Sequence, residues 1–258
     1  MKKYSPLTII SFLFAIIFFL SPLIAAGEYS FRGLNGVGHS LINYTWIIHQ
    51  SGFYNNLAVS LRLAIVTVVL VMVLLVPTVV YLHLGGRKWR RLVEFFCLIP
   101  IVIPVVSLAI GAQVAMPKWL QSTSYELCFF YVIVAMPYVY RALDIGLQSI
   151  PLQTLVEASQ SLGANWFTTL RRVILPAIAS AMTGALFITI ALTLGEYTLA
   201  SLLHFRTFPT WVTNVSQENI LGAVALSVAT LVGAWLILLL LAFIPKFKRN
   251  RKGVLVHG

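Results

Sequence analysis

Charge is scarce in this sequence, and acidic charge is scarcest. Only 7 of the 258 residues are Asp or Glu, and charged residues of both signs make up 10%. A water-soluble domain carries about a quarter charged residues, so this chain lacks the polar side chains needed to coat a globule in water. Cysteine is also rare. Cys97 and Cys128 each lie in an apolar stretch, with no CxxC and no Cys/His cluster, which leaves a disulfide framework or a zinc site without support. Both read as small core residues. The histidines His39, His49, His83, His204 and His257 are scattered, none at ligand spacing, and read as interfacial. Also missing are a phosphate-binding GxxxxGK[ST] loop, a GxSxG elbow, an HExxH helix and a clustered acidic pair. Nucleotide hydrolysis and intramembrane proteolysis need such groups. No catalytic residue, metal or cofactor is therefore expected in this chain.

What the sequence does have is length in its apolar runs. Hydrophobic residues account for 59%, and mean hydropathy is +0.92. A spanning helix needs about 20 mostly apolar residues. Six segments meet this, at about 6–26, 57–84, 93–116, 119–141, 176–203 and 219–244, the fourth only if Glu126 sits near one end. The expected fold is all-α: a polytopic membrane protein, a single transmembrane domain over 1–258. Lys and Arg then set the orientation. With the N-terminus inside, 14 of the 18 basic residues fall on cytoplasmic segments. Arg32, Lys118 and Arg206 lie outside, and Arg62 is near a boundary. This asymmetry accounts for the net charge of +11 without nucleic acid as a partner, and puts both termini in the cytoplasm.

The first run has a second reading. Lys2 and Lys3, an apolar stretch and then Ala25-Ala26-Gly27 resemble a signal peptide with a small-residue cleavage site. The run is longer than a usual signal core, and Pro22 sits just ahead of the cut, so a retained helix is the preferred reading. Residues 28–56 form an outer loop carrying Gly33, Gly36, Gly38 and Gly52. Its aromatics Tyr44, Trp46, Phe53 and Tyr54 suit anchoring at the headgroup level. Pro77 in the second helix, and Pro100 and Pro104 in the third, remove backbone donors and bend helices. In a membrane the freed carbonyls need a protein or water-filled lining, which makes Pro100 and Pro104 candidates for a pathway border.

The longest cytoplasmic connection, about 144–175, is amphipathic. Leu162, Trp166, Leu170 and Val173 recur at helical spacing, while Gly163 interrupts the run where a residue without a Cβ turns cheaply. Pro151 and Pro176 bracket it. Physics alone predicts a short helix, a turn and a second short helix against the inner face. Such a piece fits lipid headgroups, packing beneath the bundle, or a protein partner.

The residues go further than the periodicity. Glu157-Ala158-Ser159, then Gly163, then Val173-Ile174-Leu175-Pro176 resembles the EAA loop of binding-protein-dependent (type I) ABC importer permeases. Glu157, Ala158, Gly163, Leu175 and Pro176 match that pattern in register. Ser159 stands for its second Ala, and Val173 for its Ile. The looser resemblance runs from Tyr44 to Phe243 and is greatest to spermidine/putrescine-type permeases. It implies a type I importer transmembrane domain whose loop docks on an ATPase subunit. Ala164 to Arg172 would be the coupling helix, with Trp166, Phe167 and Leu170 as apolar anchors. Glu157 and Gly163 would shape the approach. The implied partners are an ABC ATPase dimer that binds the ATP, a second permease subunit (a different chain in the polyamine-like branch), an extracytoplasmic substrate-binding protein and the bilayer.

Glu196, in Leu194-Gly195-Glu196-Tyr197, breaks an otherwise apolar run. An intramembrane carboxylate is costly and is functional by default. Counting from Ala177 at about 1.5 Å per residue places it roughly 28 Å along, in the outer part of its helix. It reads as lining a pathway or holding a gate, against the plainer reading of an interfacial carboxylate paired with a polar neighbour. The Gly-Glu-aromatic step is similar to relatives that carry sulfate, thiamine, iron or phosphonates as well as polyamines, so it leaves the sign of the solute's charge open. Polyamine is the substrate expected from the general likeness. Gln113, Asn214, Gln217 and Asn219 read as loop or cap residues. The competing class is a secondary transporter or channel, which commonly shows inverted repeats or polar rings. Neither is evident here.

Overall fold

The computed structural model describes residues 5–33, 38–86, 88–121 and 123–253. Lys2, Lys3, Gly36, Arg87 and His257 lie outside the described residues. In chain order the helices are α1 (Pro6–Ser30), α2 (Ile42–Ile48), α3 (Phe53–Leu84), α4 (Arg90–Leu98), a 3₁₀ turn (Ile99–Ile101), α5 (Val105–Ala115), α6 (Lys118–Gln121) and α7 (Glu126–Gln148). There follow α8 (Leu152–Ser161), α9 (Trp166–Thr169), a π-helical turn (Leu170–Ile174), α10 (Leu175–Ala177), α11 (Ala179–Gly195), α12 (Thr198–Leu202), α13 (Phe208–Glu218) and α14 (Ile220–Gly253). Among the described residues the only β pairing is an isolated bridge between Arg32 and His39.

Four helical stretches are long and apolar enough to cross a bilayer: Leu7–Ser30, Phe53–Leu84, Glu126–Gln148 and Ala179–Leu202. The stretch expected at 93–116 is not one rod. It divides into Arg90–Ile101 and Val105–Ala115, bent by 101°, and the pair makes a fifth span if counted together. The cause is Pro104. It has no N–H to continue the ladder, and it drives the residue before it out of the helical region. Ile103 N–H still reaches Ile99 O at 3.3 Å, and the next bond in the series is Ser107 N–H to Pro104 O at 2.9 Å. The segment expected at 119–141 starts later and runs further. The sequence there is polar, and Thr and Ser side chains compete with the backbone for hydrogen bonds. Thr123 Oγ1 donates to Leu120 O at 3.0 Å, and the long helix begins only at Glu126. The stretch expected at 219–244 falls on α14, whose apolar part among the described residues is the shorter Ile220–Leu236.

The chain divides into two compact units, Met1–Asn55 with Trp211–Leu236, and Asn56–Thr210 with Ile237–Gly258. In the first, α1 stays helical through Ala25-Ala26-Gly27, and none of its apolar window is buried. The loop after it is tied down by Asn43, whose Nδ2 donates to Ser30 O at 3.2 Å and to Arg32 O at 2.7 Å. Tyr44 Oη donates to Ser30 Oγ at 2.8 Å. Glu28 pairs with Arg32 at 3.0 Å and raises that guanidinium above its ordinary value. Trp46 lies so close to Gly222 that a Cβ there would meet its ring at 2.7 Å. Trp211 Nε1 donates to Ser51 O at 3.1 Å and its ring packs edge-on to Phe53. The aromatics expected only to anchor the loop in headgroups thus also hold protein to protein, and Tyr54 alone among them is largely exposed.

The second unit holds the core. α7 is its axis, packed along α11. Gly146 of α7 faces Ala181 of α11 so closely that a Cβ at 146 would collide with the Ala181 methyl. Around this seam lies one apolar cluster of α3 residues (Val71, Leu75, Val79), α7 residues (Val139, Leu143, Leu147) and residues of the following connection (Leu152, Val156, Ile174). A second cluster joins Leu63, Leu127, Cys128, Tyr131, Leu199 and Ala200. Both cysteines are free and buried, as expected of core residues.

Candidate functional site

The connection after α7 folds as a helix, a turn and a second helix. α8 amphipathically buries Leu152 and Val156 in the core and leaves Glu157 and Ala158 exposed. It ends where Gly163 takes a φ of +80°, a conformation glycine enters at no steric cost. Ala164 N–H reaches back to Ser159 O at 3.1 Å and Gly163 N–H to Gln160 O at 2.8 Å, the paired closing bonds of a glycine C-cap. No atom would lie within 4 Å of a Cβ at 163, so the backbone conformation, rather than crowding, calls for glycine.

Asn165 then starts α9. Its Oδ1 accepts the Thr168 N–H at 2.8 Å, a cap worth about 1 kcal/mol. The two arms are locked by a buried hydrogen bond between the Ser159 and Thr169 hydroxyls at 2.8 Å. Ser159 is the residue that departs from the Glu-Ala-Ala pattern, and this bond gives its hydroxyl a use. Beyond α9, Leu170–Ile174 winds as a π-turn, and Ile174 and Ile178 are buried in the core. The loop is therefore fastened to the bundle at both ends.

Between those fastenings the loop displays apolar side chains. Leu162 is 88% exposed, Phe167 67% and Trp166 47%. Leu170, expected as a third anchor, is instead half-buried and packs on the core, as does Leu175. Leu162, Trp166, Leu170 and Val173 do not share one helical face, because the turn at Gly163 separates the first from the rest and counting by helical period across it loses its meaning. Ala164 is half-buried and Pro176 exposed.

Sequence reasoning passed over the polar cluster beneath this loop. Asp144, the sole aspartate of the chain, is buried on α7. It accepts from Arg90 Nη2 at 2.8 Å and Gln148 Nε2 at 2.8 Å, and lies 2.8 Å from His83 Nε2. One turn earlier Arg141 pairs with Glu94 at 2.9 Å. The ends of α3, α4 and α7 are thus joined by charge on the side of the bundle that carries the loop. A lone Asp three residues after an Arg in an apolar helix was the available signal.

Glu196 stands at the break between α11 and α12, with φ −78° and ψ 109°. Its Oε1 accepts the Leu199 N–H at 2.8 Å and so caps α12. With Tyr131, Val134, Leu192 and Thr193 it lines a small open notch. Pro100 is half-buried beside the α4–α5 break, and Pro104 is exposed at it. Among the described residues no group of three His, Cys, Asp or Glu side chains converges as a metal site would require.

Comparison with known proteins agrees with this anatomy. The model of the family described as binding-protein-dependent transport system inner membrane component matches residues 80–249. That range takes in the loop, the charged cluster and Glu196. Three curated relatives carry the provisional name 2-aminoethylphosphonate transport system permease protein. The one from Salmonella choleraesuis strain SC-B67 is 23% identical over 247 residues, covering 92% of each chain. Those from Salmonella typhimurium strain LT2 and Salmonella paratyphi A strain ATCC 9150 are 23% identical over 246 residues with the same coverage. A multi-pass bundle with this loop seated on its core, matched through all its distinctive parts, belongs to the inner membrane components of binding-protein-dependent transport systems, the permeases of ABC importers.

Proposed function

We propose that the chain forms half of a solute pathway and passes the work of a separate ATPase subunit to it through the α8–α9 loop. The observation that carries this reading is the exposed pair Trp166 and Phe167 on a loop fixed by the Gly163 turn, the Asn165 cap and the Ser159–Thr169 bond. Exposed aromatics on a rigid support are what a protein groove selects, and an anchor that did not flex would transmit displacement instead of absorbing it. ATP binds to and is hydrolysed by the ATPase dimer. Closure of that dimer rocks the permease between two packings, each favoured by a different nucleotide state. A second permease chain completes the pathway, with Glu196, Pro100 and Pro104 on its border, and an extracytoplasmic binding protein delivers the solute. Both termini lie in the cytoplasm, as the distribution of Lys and Arg suggests.

For the solute, the relatives' name favours an aminoalkylphosphonate over the polyamine expected from sequence likeness, which the comparisons do not support. The experiment is co-purification from mild detergent of the permease with the ATPase encoded beside it. Wild type should retain the ATPase. Gly163→Asp, and separately the double variant Trp166→Ala with Phe167→Ala, should release it while the permease stays in the membrane. If wild type itself brings down no ATPase, the coupling role fails and a secondary transporter becomes the leading reading.

A further inference from the structure

We propose that the notch lined by Glu196 is a subsite for a primary ammonium group of the transported solute. This rests on the reading of the bundle as a solute pathway and adds the chemistry of one end of the cargo.

The other acids of the chain differ in their surroundings. Glu28, Glu94 and Asp144 each face a cation within 3.0 Å. Glu157 and Glu218 are exposed to solvent, and Glu126 is buried at the start of α7. Glu196 is half-buried at the break between α11 and α12, and among the described residues no Lys, Arg or His forms an ion pair with it. Its Oε1 is held by the Leu199 N–H, which orients the carboxylate and leaves Oε2 without a partner from that bond. A carboxylate kept in an apolar bundle without a resident cation is set up to receive one from outside.

The surroundings match that cation's needs. An ammonium has three donors and no acceptor, so it is satisfied by acceptors alone. Glu196 supplies charge. Thr193 Oγ1 gives its proton to Thr189 O at 2.7 Å, so its lone pairs remain available to a donor. Tyr131 supplies an aromatic wall, favourable to a cation. Val134 and Leu192 complete the lining. No cationic side chain lines the notch, so a phosphonate or sulfate would meet only like charge. The notch is shallow and open, and encloses no space of its own. Only an ammonium head at its mouth can meet Glu196, and the rest of the solute must be held elsewhere. The carboxylate chemistry accepts an aminoalkylphosphonate or a polyamine equally, because each presents a primary ammonium.

The test reads charge selectivity at the notch in the assembled transporter. Cys97 and Cys128 are replaced by alanine, and Val134→Cys is labelled with the cationic 2-aminoethyl or the anionic 2-sulfonatoethyl methanethiosulfonate. With Glu196 present the cationic reagent should react faster by about tenfold or more, the range expected of a cleft of one charge sign. Glu196→Gln should erase most of that preference and Glu196→Asp should keep it. Ethylamine should protect the thiol, and ethylphosphonate should not. Equal rates for the two reagents, a preference unchanged in Glu196→Gln, or no labelling at all would overturn the subsite. ATPase co-purification is scored in the same preparations. Lost selectivity with the ATPase still bound counts against the notch alone. Selectivity without any bound ATPase counts against the coupling role alone. Labelled 2-aminoethylphosphonate and putrescine, offered as protectants in a final arm, separate the two sources of the ammonium.

Discussion

Asp144 shows how much one side chain can organise in a chain with so little charge. Its carboxylate meets His83, Arg90 and Gln148 from inside the protein. Removing it leaves buried donors without an acceptor, a larger loss than the net worth of the bonds themselves. We predict that Asp144→Ala lowers unfolding stability in detergent by about 2–3 kcal/mol, read as a lower thermal midpoint. Asp144→Asn should lose less, since an amide oxygen still accepts. An unchanged midpoint in Asp144→Ala would show that the cluster is incidental. Gly163 is governed by backbone rather than space. Gly163→Ala has room for its methyl, yet must hold a φ of +80°, at about 1–2 kcal/mol for an L-residue. It should weaken ATPase retention only partly, in contrast to Gly163→Asp. Complete loss with alanine would mean that the turn is more sensitive to conformation than this cost allows.

At the scale of elements, the informative feature is the π-turn at Leu170–Ile174, between the exposed α9 and the short α10 that leads into α11. A π-turn carries one residue more than the α-helical path it replaces, and such bulges concentrate at functional sites. Pro176 just beyond it has no N–H to offer the preceding turn, which helps the irregular winding persist there. We predict that deleting Arg172, an exposed residue of this turn, lets the segment rewind as α-helix. Because the residue removed is the extra one, the helices on either side would keep nearly the same register, and only the wide turn would be lost. Solute uptake should fall steeply while the protein still inserts, as read by transport and by membrane abundance in parallel. Normal uptake in the deletion would show that the wide turn itself has no part in transport. The break at 102–104 belongs to the same scale. Two prolines announced a bend, and the structure gives its angle, 101°.

At the scale of the whole molecule, the exposed apolar side chains are the main fact. α1 is unburied along its apolar window, and Val102, Val106, Ile110 and Val114 of the α5 region are open as well. Apolar surroundings, lipid above all, are what such surfaces require. The basic residues supply the remaining asymmetry. Green fluorescent protein fused to the C-terminus should fluoresce in cells, since the positive-inside rule puts that end in the cytoplasm. A dark fusion matched by an active periplasmic phosphatase fusion would reverse the orientation. Much of this was readable in advance. Runs of about 20 apolar residues exclude a soluble fold whatever their packing, and the spacing of Glu157, Gly163 and Pro176 marked the loop before its shape was known.

The sequence by itself determined the solvent, the helical class, the family and the position of the loop between α7 and α11. Each of these follows from composition or from short-range spacing, which survive without knowledge of neighbours. Only the tertiary structure decided which loop residues face outward. Leu170 and Trp166 are equally apolar on paper, but a core of α3, α7 and α11 residues lies behind one and not the other. It also decided that Asp144 has Arg90 and His83 to meet and that Glu196 has no Lys, Arg or His within ion-pair distance among the described residues. His83 and Arg90 lie 61 and 54 residues from Asp144 in the chain, and side chains so far apart in sequence are brought together only by the packing of helices.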